Sequence, residues 1–266
     1  TCSAPLSSPT FFHTQRLSQI RTFVAIDGQW APVETHQLIQ GFPATSQPQA
    51  RAMWLDSVFT RGYLDGDLAT FKDTYAIRFQ GKELPNRVDW GAGDGDEQVS
   101  LERRRMWKIT DQLGARTDIE YYDSSTELAR HCPTQGSAST QYTTWKTGFD
   151  PKANTWDCYE VLVGEDKALY HRYLVKSVTV TDTVTDSPAR STTYTYKGNP
   201  AWAFAKDRLY TDVQAKDYAG AGWSDYRGYE KVTETTGSGT QQSTTVNQYF
   251  RGLSKDFNGT TEGAVK

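Results

Sequence analysis

Short runs of alternating side chains, closed by Asp/Gly turns and joined without helical crossovers, constrain this chain more than any other feature. "QIRTFVAI" (19–26) stops at Asp27-Gly28, a hairpin dipeptide, and "QWAPVETHQLIQGF" resumes the alternation behind it. "DSVFTRGYL" breaks at Asp65-Gly66-Asp67. "TYAIRFQGKEL" sets Tyr75, Ile77 and Phe79 on one face and Ala76 and Arg78 on the other. "RRMWKITDQLGARTDIEYYD" predicts two strands about Leu113-Gly114, with Ile119 and Tyr121 sharing a face of the second. Farther on, "HRYLVKSVTVTDTV" and "ARSTTYTYKG" join through Thr185-Asp186-Ser187-Pro188, and Tyr194 and Tyr196 lie on one face. "YEKVTETTG" and "QSTTVNQYFRGL" pair about Gly237-Ser238-Gly239. Helical signals are few: "ELARHC" (127–132) is at most a turn or two, and "AWAFAKDRLY" has no clear period. Hairpin after hairpin predicts an all-β fold, an antiparallel meander. No exact internal repeat occurs at a propeller or solenoid period.

Composition agrees. Tyr (15), Trp (8) and Phe (11) are plentiful, and Thr recurs in clusters, residues suited to a pleated, half-wetted surface. A hydrophobic fraction of 36% and a mean hydropathy of -0.68 fit a thin sheet better than a deep core. The net charge of -3 leaves no electrostatic footprint for nucleic acid. The basic run Arg103-Arg104-Arg105 with Lys108 follows the acidic stretch Asp94 to Glu97 and reads as a solvated strand edge. No apolar run approaches the ~20 residues that span a bilayer. The opening "TCSAPLSSPTFF" has no signal-peptide pattern and reads as the middle of a longer chain.

Of three cysteines, Cys132 and Cys158 flank a Ser/Thr/Gln/Gly-rich stretch. A disulfide between them is expected, stabilising by ~3–4 kcal/mol in the chain-entropy picture and implying an oxidising compartment. Zinc is the rival, but there is no CxxC and His131 alone cannot complete a ligand set. Cys2 has no obvious partner. The composition break divides the chain into a strand-rich half (1–132), an insertion or long loop (133–157) and a second strand-rich half (158–266).

Signatures of catalysis are missing. His13, His36, His131 and His171 are isolated, and there is no G-x-S-x-G, H-E-x-x-H, P-loop or G-x-G-x-x-G. The acidic cluster Asp89, Asp94, Asp96 and Glu97 within "DWGAGDGDE" is the candidate metal site, since calcium takes several oxygens on a Gly-permitted loop. Its spacing does not match an EF-hand, and a solvated turn is the blander alternative. A carboxylate pair for glycoside hydrolysis is a further alternative, for which an Asp→Asn scan of 89–97 is the test. Trp30, Trp54, Trp107, Trp145, Trp156, Trp202 and Trp223 could be sugar platforms, or cross-strand packing.

The succession "HRYLVKSVTVTD", "TTYTYKGNPAW", "WSDYRGYEKVTETTG", "TVNQYFRGL" resembles, in order and wording, the shell region of Rhs/YD-repeat proteins, the polymorphic toxins of actinobacteria. "FFHTQRLSQIRTFV", "ARAMWLDSVFTRGY", "LPNRVDW", "RRMWKITDQLGARTDIEYY" and "NTWDC" extend the resemblance over nearly the whole chain. The positions that carry it are Trp202, Arg227, Gly228, Tyr229, Tyr249, Phe250, Arg251 and Gly252. Trp223 stands two places upstream of the family's Trp, and Leu253-Ser254-Lys255 replaces its usual Met-Asp-Gly.

The resemblance implies a structural role without catalytic residues or cofactor. Rhs-type shells, like the B and C components of insecticidal toxin complexes and the teneurin barrel, wind β-hairpins into a hollow cocoon around a C-terminal toxin domain. The family's self-cleaving aspartates have no match between Thr1 and Lys266. The implied partners are the remaining repeats of the same polypeptide, the enclosed toxin and a shell-closing or delivery component. The implied location is secreted or cell-surface, and the implied context is competition between bacteria. The alternative is a stand-alone carbohydrate-binding or adhesion β domain.

Overall fold

The computed structural model describes residues 15–45, 51–64, 66–88, 101–122, 132, 149–163, 166–185, 187–205 and 222–252. Ten strands follow one another across a single antiparallel sheet. Their order is β1 (Gln19–Ile26), β2 (Gln29–Gly41), β3 (Trp54–Tyr63), β5 (Ile77–Pro85), β6 (Glu102–Thr110), β7 (Arg116–Tyr121), β10 (Val175–Thr181), β11 (Arg190–Lys197), β14 (Lys231–Thr236) and β15 (Ser243–Gln248). The short β4 (Phe71–Asp73) adds to β3 off this path. Two hairpins stand outside it: β8 (Cys158–Val163) with β9 (Asp166–His171), and β12 (Ala201–Ala205) with β13 (Gly222–Gly228). The fold is thus the antiparallel all-β meander that the alternation predicts, left open, with β1 and β15 as its outermost described strands.

Every pairing along the path is antiparallel, so the connections alternate between two rims. One rim carries the turns 27–28, 64–76, 111–115, 182–189 and 237–242. Asp27 and Gly28 both have positive φ (48° and 77°), the geometry a two-residue hairpin requires. The other rim carries 42–53, 86–101, 122–174 and 198–230, and both extra hairpins belong to it. The main sheet passes straight from β7 to β10. Cys158 opens β8, and the main sheet resumes at Val175.

The sheet is thin. All eight residues of β1 are exposed, and so are five of the six in β15. Polar cross-strand pairs take the place of core packing. Thr192 and Thr236 hydroxyls lie 2.9 Å apart, Thr179 donates to Ser191 at 3.0 Å, and Ser177 donates to Glu120 at 3.1 Å. Register shifts at Thr22/Phe23, Ile39/Gln40, Gln80/Gly81 and Val175/Ser177 interrupt the ladder, the places where a sheet bends. Tyr75 departs from the expected alternation, because it precedes β5 and is 83% exposed.

The buried core sits off the sheet, at the rim of long connections. Val88, Cys132, Cys158 and Leu169 are buried together, with Phe149 and Trp156 packed on them. Cys132 and Cys158 are joined by a disulfide across a Cα–Cα distance of 5.2 Å. The backbone of β9 hydrogen-bonds to the chain leaving β5, Val88 donating to Leu169 and His171 to Asn86. Trp202 of β12 lies against Tyr159 of β8 and Tyr226 of β13, ring centroids 5.1 and 5.0 Å away, and donates to the Trp156 carbonyl. "AWAFA", whose sequence period is unclear, is a strand because β13 and this aromatic cluster hold it.

Candidate functional site

Two concave surfaces lie at the rim of long connections. One cleft, of about 550 Å3, is lined by Lys82, Leu84, Trp107, Ile119, Tyr121, Tyr122, Tyr173 and Lys176, with Pro85 and Glu120. A second, of about 480 Å3, lies where β13 meets β10, β11 and β14. Arg172, Tyr194, Tyr196, Tyr226, Arg227, Tyr229, Glu234, Tyr249 and Phe250 line it, with Leu174, Val175, Gly228 and Val232. Tyr173 belongs to both.

Strand pairing explains the second wall. Tyr194 faces Glu234 and Tyr196 faces Val232 across the β11–β14 ladder, and directly opposed residues share a face. Ring contacts run through the region. Tyr121 meets Tyr173 edge-on at 6.2 Å, Tyr122 meets Tyr196 at 6.1 Å, and Tyr196 lies 5.2 Å from Tyr229.

Five of these phenols donate to acceptors within the protein. Tyr121 donates to the Met106 carbonyl at 2.8 Å, Tyr122 to Tyr194 at 2.7 Å and Tyr173 to Pro85 at 2.8 Å. Tyr196 donates to Val175 at 2.9 Å, and Tyr229 to the Asp157 carboxylate at 2.6 Å. The rings are thereby fixed, and what they offer a ligand is their faces. Burial, with Tyr122 adding to it, pushes the Tyr196 phenol up to about 12. Burial and then the Asp157 carboxylate raise Tyr226 further, so both remain protonated at ordinary pH.

Cations accompany the rings. The Arg172 guanidinium lies 4.7 Å over Tyr226 and that of Arg105 lies 4.6 Å over Tyr173. Arg105 also donates to the Asn86 side chain at 2.8 Å. Arg227 pairs with Asp225 at 2.8 Å. Glu234 accepts from Asn247. The arrangement can stack against planar groups, and it can hold anions or hydroxyl groups.

Arg227, Gly228, Tyr229, Tyr249 and Phe250 meet at the second cleft. Arg251 donates to the Asn199 carbonyl, while Gly252 has φ +68° and lies close to Arg227. Trp202 is buried beside this group, and Trp223 is buried too. Asn154 and Asp157 of "NTWDC" hold a turn: Asn154 donates to Cys158 and accepts from the Trp156 amide, while the Asp157 carbonyl accepts from the Arg172 amide. Asp89, Asp94, Asp96, Glu97, Trp145, His13, His131 and Cys2 lie outside the described residues. Elsewhere, Trp30 is exposed at the first hairpin, Trp54 donates to the Phe79 carbonyl, and His36 bonds Thr60.

Among the described residues no three His, Cys, Asp or Glu side chains converge as metal ligands, and no helix is long and apolar enough to cross a membrane. The run Arg103-Arg104-Arg105, expected at a solvated strand edge, lies on the interior strand β6, half-buried, with Arg105 over Tyr173. Tyr173 and Arg172 carry no sequence signal, because only long-range pairing gives them neighbours. No family model, curated protein or solved structure matches this chain.

Proposed function

We propose that the chain is a non-catalytic wall segment of an Rhs/YD-repeat shell, part of a larger exported polypeptide that encloses a C-terminal toxin domain. The observation that carries this is the unsealed meander. Ten strands form one open antiparallel sheet, and its outermost described strands, β1 and β15, are almost wholly exposed. Ile20, Phe23, Val24 and Ile26 of β1 stand exposed, as do Val246 of β15 and Tyr249 and Phe250 beyond it. Apolar side chains on an edge strand favour association, and a shell relieves this by continuing the sheet. The motif order supports the same assignment, with Arg227, Gly228, Tyr229, Tyr249 and Phe250 gathered at one junction. One disulfide suits an exported protein.

The test is the denatured mass of the native polypeptide. A mass several times the 29.9 kDa of these 266 residues is expected. A native chain near 29.9 kDa that remains monomeric would overturn the assignment.

A further inference from the structure

We propose that the gap between β6 and β7 is a slot for an extended segment of a separate polypeptide, which enters as an added strand and pairs through its main chain. This goes beyond the shell assignment and does not depend on it. The two strands pair at Thr110–Arg116, Ile109–Thr117 and Lys108–Asp118 and no farther, although β6 runs on to Glu102 and β7 to Tyr121. Their other edges stay engaged over these stretches, β6 with β5 and β7 with β10. The sheet therefore splits here while both lips remain part of it.

Three observations select the occupant. The first is the direction of the main-chain groups, which alternates along an antiparallel strand. The Tyr122 amide donates to the Leu174 carbonyl, on the β10 side, so the main-chain groups of Ile119 and Tyr121 turn toward β6. The Leu101 carbonyl accepts from the Asn86 amide, on the β5 side, so those of Arg104 and Met106 turn toward β7. The Tyr121 hydroxyl agrees with this, donating to the Met106 carbonyl at 2.8 Å, where a neighbouring strand would place an amide. Two rows of amides and carbonyls thus face each other across the gap. An extended peptide can continue both rows, whereas a sugar has no main chain to add and polyproline has no amide proton.

The second observation is the place of the first cleft. Ile119, Glu120, Tyr121 and Tyr122 all line it, although neighbours in a strand point to opposite faces, so it follows the edge of β7 and not one face of the sheet. Trp107, at the β6 register shift, and Leu84 and Pro85 of β5 close it from the other side. The third is the lining itself. Leu84, Trp107, Ile119, Tyr121 and Tyr173 suit apolar side chains on alternate residues of the occupant, while Lys82, Lys176 and Glu120 bring both signs of charge. Among the described residues no strand enters the gap: β8 pairs with β9, and β12 with β13.

The experiment titrates the full chain with a fluorescent, end-blocked peptide, Lys-Val-Thr-Val-Thr-Val-Lys, followed by anisotropy. Saturable binding is expected, and the same peptide with alternate amides N-methylated should bind about tenfold more weakly. In residue-resolved hydrogen exchange, the Arg104 and Tyr121 amides should exchange readily without peptide and be protected with it. Tyr121→Phe, which releases the Met106 carbonyl, should tighten binding several-fold, and Trp30→Ala, on the far rim, should bind normally. Equal binding of the N-methylated peptide would overturn main-chain pairing, and silence from the parent peptide would overturn the proposal outright. Displacement by maltohexaose would make the cleft a sugar site and overturn it too. Protection confined to β1 or β15 would put the peptide at an outer edge of the sheet, and unchanged binding in Tyr121→Phe would likewise overturn the location. Protection of Tyr121 before any peptide is added would show the chain filling its own gap, and would overturn a separate partner.

Discussion

The Tyr229 hydroxyl donates to the Asp157 carboxylate at 2.6 Å, and both residues are 5% exposed although 72 positions separate them. This contact ties the chain entering β14 to the turn that opens β8, joining the two excursions that the main sheet leaves behind. Tyr229→Phe removes a donor from a buried carboxylate while keeping the ring. It should cost about 1–3 kcal/mol in urea denaturation. The slope of the transition should remain unchanged.

The Cys132–Cys158 disulfide secures the same region. Replacing both cysteines with serine should lower stability by about 3–4 kcal/mol from chain entropy. Hydrogen exchange should show the loss at β8 and β9 before the main sheet. In the denatured, unreduced protein, thiol labelling should reach Cys2 alone.

Acid should weaken that docking as well. Burial, with the Arg105 guanidinium adding to it, lowers His171 to about 4 from its ordinary 6.5. The folded state therefore holds the neutral imidazole more firmly than the unfolded chain does. The associated stability is full above about pH 6.5, falls as pH drops toward about 4, and then levels, a range of roughly 3 kcal/mol. Unfolding free energy measured across this window should depend less on pH in His171→Asn than in the wild type.

Gly81 sits at the β5 register shift, where a Cβ would collide with the Arg104 side chain and stand 3.0 Å from the Trp54 ring. Gly81→Ala must displace Arg104 from its ion pair with Glu83. A loss of about 1–3 kcal/mol is expected from overpacking. Trp54 fluorescence should shift with it.

Strand β1 offers the simplest control on association. Phe23→Lys and Val24→Lys place charge on opposite faces of a fully exposed strand. Each should reduce light scattering by the isolated chain, with no change in melting temperature.

Much of the main sheet was legible because strand alternation and turn chemistry are local. Asp27-Gly28, Leu113-Gly114 and Gly237-Ser238-Gly239 each stand where a turn occurs. The cysteine pair was legible from the tract it brackets. The departure of β8 and β9 from the sheet was not, since "CYEVLV" and "DKALYH" look like any other strand pair. Their position is decided by partners such as Asn86, Val88 and Trp202, far away in the chain. The clefts were hidden for the same reason. Tyr173 acquires its meaning from Tyr121, Arg105 and the Pro85 carbonyl, and no spacing announces such a meeting. The acidic stretch from Asp89 to Glu97 lies outside the described residues.

The alternation of rims has a consequence for how such a chain can change. A residue gained or lost in a tight turn such as 27–28 shifts the register of two neighbouring strands and turns side chains to the wrong face. A residue gained within 122–174 or 198–230 leaves every main-sheet pairing where it was. One border behaves as a ruler and the other as a margin on which new text can be written. Sequence novelty, and with it any new specificity, can accumulate on the margin while the ruler stays fixed.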